Sequence, residues 1–130
     1  MSDELMKGDI ILCKFPMATQ GVLSWKKRPG LVVSKNQNNS RLDDIIIAPC
    51  SSNISKKSIP TQYLIEGEEV FESGIRITSV VRCEILMTIH KSMIIKKLGQ
   101  IYLESLKKID ECLIDALAIR TNKPDDYYKL

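Results

Sequence analysis

No apolar run in this chain approaches the ~20 residues a membrane-spanning helix needs; the longest, such as Ile10–Cys13 and Ile45–Ala48, end after four. Histidine occurs once, at His90, and no Cys-x-x-Cys pair is present, so a zinc site of the usual spacing cannot be assembled. The four cysteines, Cys13, Cys50, Cys83 and Cys112, stand 37, 33 and 29 residues apart and read as core thiols of a reduced, cytoplasmic protein. Aromatics are scarce at 5%, so the core must be aliphatic. GxGxxG, Walker and HExxH motifs are missing, as is any obvious Ser-His-Asp arrangement. Residues 1–8 hold no basic start followed by an apolar segment, and no secretory signal is expected.

What is present is ordinary for a globule: 130 residues, 44% apolar and 27% charged, enough for one domain. The net charge of +3 is unevenly spread. Residues 1–60 carry nine Lys/Arg against five Asp/Glu, 61–99 balance at five each, and 100–130 hold five against six. A polyanion is therefore a possible partner for the first half.

Most of the chain reads as strands. Asp9–Phe15, Gly30–Lys35 and Asp44–Cys50 are short runs of Ile, Val and Leu, bounded by turn chemistry at Lys7-Gly8-Asp9, Arg28-Pro29-Gly30 and the polar cluster Asn36–Arg41. A fourth strand is expected at Thr61–Ile65, followed by an exposed acidic loop, Glu66–Glu72. Strict alternation from Ile75 to Met87 predicts one long strand, with Arg76, Thr78, Val80, Arg82 and Glu84 on its half-polar face. Ile94–Ile101 reads as one more. The period then changes: Leu103, Leu106, Ile109, Leu113, Ala116 and Leu117 recur at helical steps, predicting an amphipathic helix whose leftover apolar surface could serve a dimer. The expected architecture is mainly β with a C-terminal helix, a small curved sheet or barrel over residues 1–119, then a tail, 120–130.

Three groups could carry chemistry. Arg82-x-Glu84 places a guanidinium and a carboxylate on one strand face, either as a solvated pair worth under about 1 kcal/mol or as a functional pair. Lys26-Lys27-Arg28-Pro29-Gly30 is a basic cluster ending at a strand start, or a solubilising loop. Ser51-Ser52-Asn53 follows a strand and could meet a phosphate, or merely make a turn. His90 reads as a surface or structural group.

Taken in order, Gly8-Asp9-Ile10, Lys27-Arg28-Pro29-Gly30-Leu31-Val32-Val33-Ser34, Ile45-Ile46-Ile47-Ala48-Pro49-Cys50-Ser51-Ser52, Pro60-Thr61, Ser79-Val80-Val81-Arg82-Cys83-Glu84 and Thr88-Ile89-His90-Lys91 resemble the MazF/PemK/Kid family of toxin endoribonucleases. The resemblance covers about residues 7–119. It implies a small SH3-like barrel, a homodimer and cleavage of single-stranded messenger RNA without metal or cofactor. It further implies an acidic antitoxin that covers the RNA groove. Position by position, Arg28 matches the family's arginine before proline, Ser51 its active-site threonine, and Arg82 and Glu84 its Arg-x-Asp acid and base. Ser52, Thr78 and Val80 match positions lining the RNA site. Trp25 and Lys27 lie in the expected binding loop, Trp25 either stacking on a base or packing on its own barrel. The chain departs from the pattern in having no histidine within 17–27, serine at 51, and Met87 where many members carry arginine. A non-catalytic nucleic-acid- or protein-binding module of the same fold is the alternative.

Overall fold

The computed structural model describes residues 4–119. Seven strands follow one another as β1 (Asp9–Thr19), β2 (Val22–Val32), β3 (Asp44–Ser51), β4 (Gln62–Ile65), β5 (Ser79–Arg82), β6 (Met87–His90) and β7 (Ile94–Gln100). Helices α1 (Asn36–Arg41), α2 (Glu69–Ser73) and α3 (Ser105–Leu117) interleave with them. The strands pair antiparallel in the order β4-β5-β3-β2-β1-β7, with β6 also on β3, so the sheet is strongly bent and SH3-like but unclosed. Among the described residues no helix is long and apolar enough to cross a membrane.

The short apolar runs have a direct cause: the sheet is covered on both faces. Ile10, Leu31, Ala48, Cys50 and Val81 face Ile109 and Cys112 of α3, while Ile11, Cys13, Val32, Ile45, Ile47 and Ile89 form a second core on the other side. A strand buried on both faces has no polar side to alternate with, hence Ile10-Ile11 on β1, whereas in Ile45-Ile46-Ile47 the outer two are buried on one face and Ile46 is exposed on the other. β1 and β2 meet in a tight hairpin whose two turn residues, Gln20 and Gly21, both take positive φ, the geometry that matches strand twist.

Several expectations need correction. The basic cluster Lys26–Arg28 is no loop: it lies inside β2, which begins eight residues before Gly30, and β1 extends four beyond Phe15. Asn36–Arg41 is helical, anchored by buried Asn39, whose side chain bonds the Ser34 hydroxyl and carbonyl. The strand read over Ile75–Met87 is two strands. Cys50 pairs with Val81 and Ile47 with Met87, so Ala48 and Pro49 stand opposite five residues, 82–86; Arg82 still belongs to β5, and the chain turns over the remaining four. Within the acidic stretch, α2 replaces the exposed loop, and Glu69 is buried. Its carboxylate accepts from the Tyr63 hydroxyl, from Ser105 Oγ at 2.6 Å and from the Tyr102 amide at 2.9 Å, tying β4, α2 and α3 together. Burial and this carboxylate push the Tyr63 hydroxyl up to about 12. The tail expected over 120–130 lies outside the described residues.

All four cysteines are free and buried, as expected. Loss of solvation pushes the Cys13 and Cys83 thiols up to about 12, which leaves about one in ten thousand as the reactive thiolate at pH 8. A disulfide reagent is therefore expected to find no fast thiol in the folded protein and four after denaturation. Rapid reaction of any of them under native conditions would contradict the packing.

Candidate active site

The pairing of β2 with β3 ends at Gly30–Pro49, and Arg28 and Ser51 each lie two residues beyond that pair on their own strands. Both line a cleft of about 540 Å³. Its floor is a row of apolar groups, Leu12, Pro29 and Cys50, and its polar wall is Ser51-Ser52-Asn53. Ser51 Oγ accepts the Asn53 amide at 3.1 Å, a local turn that fixes the hydroxyl and leaves its own proton to be donated outward. Two cations from distant parts of the chain complete the rim, Arg76 after α2 and Lys96 on β7.

The charge balance of this cleft is one-sided. No Asp or Glu lines it. Among the described residues, ion pairs engage Lys7, Arg82, Lys97 and Lys108, and none reaches Arg28, Arg76 or Lys96. Three uncompensated cations over an apolar floor, with a hydroxyl donor, form a site for an anion that also has an apolar part.

The other residues singled out from sequence are placed around this cleft rather than in it. Ser51 pairs with Val80, and Val80 and Arg82 alternate onto one side of β5, so Arg82 is the diagonal neighbour of Ser51, about 7–8 Å away at Cα. Glu84 is not two steps along the same strand face, as expected, but in the turn after β5. There its Oε2 accepts from Gln62 Nε2 at 2.7 Å and stands 3.9 Å from Arg82 Nε. Val80 is buried and Thr78 exposed, neither lining the cleft. Trp25 is 53% exposed, so it is not packed into the barrel. With Lys14, Lys26 and Lys27 it lines a separate depression of about 330 Å³ on the hairpin. His90 caps the 3-10 turn Lys91–Met93, its Nδ1 accepting the Ser92 amide, which is a structural task.

Sequence reasoning missed Arg76 and Lys96. Arg76 was one polar residue on an alternating segment and Lys96 an interruption in a strand; nothing in either neighbourhood says that they converge. Among the described residues no group of three or more His, Cys, Asp or Glu is placed to hold a metal ion.

The model of one protein family, described as the PemK-like, MazF-like toxin of type II toxin-antitoxin systems, matches residues 6–117. No curated protein sequence matches the chain significantly. Similar solved structures include an endoribonuclease from Mycobacterial species, 19% identical with a TM-score of 0.71 over 93% of this chain and 98% of its own. Another is an endoribonuclease in complex with its cognate antitoxin from Mycobacterial species (20% identity, TM-score 0.70, 90% and 98%). A third is the MazE-MazF structure from Deinococcus radiodurans (16%, 0.70, 92% and 100%). At these identities the likeness is one of fold.

Proposed function

The chain belongs to the PemK-like, MazF-like toxin family of type II toxin-antitoxin systems, and on that premise we propose that it is an endoribonuclease cleaving single-stranded RNA without a metal ion. The observation that carries this reading is the cationic, carboxylate-free cleft at Arg28 and Ser51, with the Arg82–Glu84 pair as its diagonal neighbour.

Metal-free cleavage needs a group to take the 2′-OH proton, charge to stabilise the phosphorane, and protonation of the leaving 5′-oxygen. Glu84 takes the proton. O2′ then bonds to phosphorus, and the bond to O5′ breaks to leave a 2′,3′-cyclic phosphate and a 5′-hydroxyl. Arg28 and Arg82 brace the non-bridging oxygens with paired N–H donors, which guanidinium offers and ammonium does not. Arg82 acts through its charge first and as proton donor second, because a guanidinium holds its proton beyond pH ~12. Ser51 donates one further hydrogen bond to the phosphate. Ser52 and Thr78 flank the RNA, buried Val80 only backs the strand that carries Arg82, and Lys27 and Trp25 contact the RNA on the hairpin, the indole through stacking.

The reading takes residues 1–119 as one domain, acting as a homodimer. Because the cleft cations have no ion-pair partner among the described residues, an acidic segment of an antitoxin is the fitting inhibitor, in line with a relative whose structure is a complex with its cognate antitoxin. The test is to incubate the purified chain with a long single-stranded RNA in excess chelator and map the ends. Discrete cuts with cyclic phosphate and 5′-hydroxyl termini support the reading; binding without cuts would leave a non-catalytic module of the same fold. Ser51→Ala is expected to cost one hydrogen bond in the transition state, about 1–2 kcal/mol or roughly 5–30-fold in kcat/KM. Unchanged single-turnover kinetics would remove Ser51 from the phosphate.

A further inference from the structure

The cleft is longer than the scissile phosphate needs, and Lys96, one of its two unexplained cations, stands across the apolar floor from the Ser51 wall. Lys96 on β7 pairs with Leu12 on β1, Leu12 pairs with Pro29 on β2, and the next residue, Gly30, pairs with Pro49 on β3, beside Cys50. That row crosses four strands at about 4.8 Å each, so roughly 14 Å separates the Lys96 backbone from the β3 wall that carries Ser51. More than one nucleotide spans such a length. Arg76 enters from a different direction, on the segment that leaves α2, and like Lys96 it is exposed with no carboxylate partner.

We propose that Arg76 and Lys96 each hold a phosphate of the RNA strand other than the one being cut, with the intervening nucleoside lying on Leu12 and Pro29. The strand then crosses the sheet from β3 towards β7, gripped at about three consecutive phosphates. This rests on the endoribonuclease reading and extends it: neither residue touches the reacting atoms, and both set where and how firmly the strand lies. Arginine offers paired donors and lysine a point charge, but for phosphates that undergo no reaction either suffices.

The experiment measures binding of a 2′-O-methyl oligonucleotide, which lacks the nucleophile, in a sequence that the wild type cuts as RNA. Dissociation constants are taken between about 50 and 200 mM salt, alongside steady-state cleavage of the RNA. For a single strand each phosphate contact contributes about 0.7 to the slope of log K against log salt. R76A and K96A are each expected to lower that slope by about 0.7 and the double variant by about 1.4. KM should rise while kcat holds, as befits contacts made equally in the ground and transition states. R76K and K96R should restore the slope, which separates lost charge from a disturbed fold. K108A, removing a cation on the outer side of α3, is the control and should leave it unchanged. A wild type that cuts RNA while both alanine variants keep its slope and KM overturns this assignment alone. A wild type that neither binds nor cuts overturns it together with the endoribonuclease reading.

Discussion

Replacing Glu84 by glutamine is expected to lower the single-turnover cleavage rate by about 10²–10⁴-fold, the usual loss when a general base is removed. The substitution is conservative where structure is concerned. Glutamine keeps the length of the side chain and a carbonyl oxygen that can still accept from Gln62 Nε2, the 2.7 Å contact that holds the turn against β4. Only the capacity to take a proton and the negative charge beside Arg82 are lost. The dichroism spectrum and the elution volume should therefore match the wild type while fragments fail to accumulate. Near-normal cutting would reassign proton abstraction. Since no carboxylate lines the cleft itself, the rate enhancement would then have to come from charge stabilisation at Arg28 and Arg82, which supplies about 10²–10³ per donor.

The largest expected loss of stability lies at two glycines that face each other across α2 and β7. A Cβ built on Gly74 would sit 2.2 Å from the Leu98 carbonyl oxygen, and one on Gly99 would sit 2.3 Å from the Glu72 carbonyl oxygen. Both obstacles are backbone, so no side chain can swing aside. Gly74 also ends α2 with φ +74°, a left-handed conformation that costs a residue with a Cβ about 1–2 kcal/mol. Adding the clash, Gly74→Ala is expected to cost about 3 kcal/mol or more and to lower the melting temperature by about 10 °C or more. Gly99→Ala, without the left-handed contribution, should cost somewhat less. A thermal melt checks both, and a midpoint within about 2 °C of the wild type would mean that α2 and β7 can separate freely. The functional cost follows from the same contact. Gly74 opens the segment that carries Arg76 into the cleft, so prying α2 from β7 displaces that cation even where the protein stays folded.

How much of this could be read in advance varies with how local the cause is. The terminal helix was legible, expected over 103–117 and found at Ser105–Leu117, because its pattern depends only on its own 3.6-residue period. The alternation over 75–87 was equally clear and still misleading. Period two says that a segment is extended but not where its partner ends, and two residues of β3 opposite five cannot stay in register. Glu69 looked like one acid among several; only convergence of Tyr63, Tyr102 and Ser105 from three elements allows it to be buried. At the site, Arg28 and Ser51 stand out in the sequence because each sits in a motif that resembles the family's, and the fold brings both to one cleft. Arg76 and Lys96 do not stand out, because their significance is created by folding.

The exposed end of the sheet order has a consequence for the molecule outside its chemistry. β7 closes one side of the hydrogen-bonded series, its pairing with β1 slips at two places, and it carries Lys96 and Lys97 in succession. Irregular pairing and adjacent lysines are devices that keep an open edge from recruiting strands of other molecules. Lys97 is held down by buried Asp9 at 3.1 Å, which leaves Lys96 as the free charge of the two. A lineage that traded Lys96 for an apolar residue to relax its grip on nucleic acid would thus expose a smoother β margin beside Ile94 and Ile95, and with it a route to aggregation.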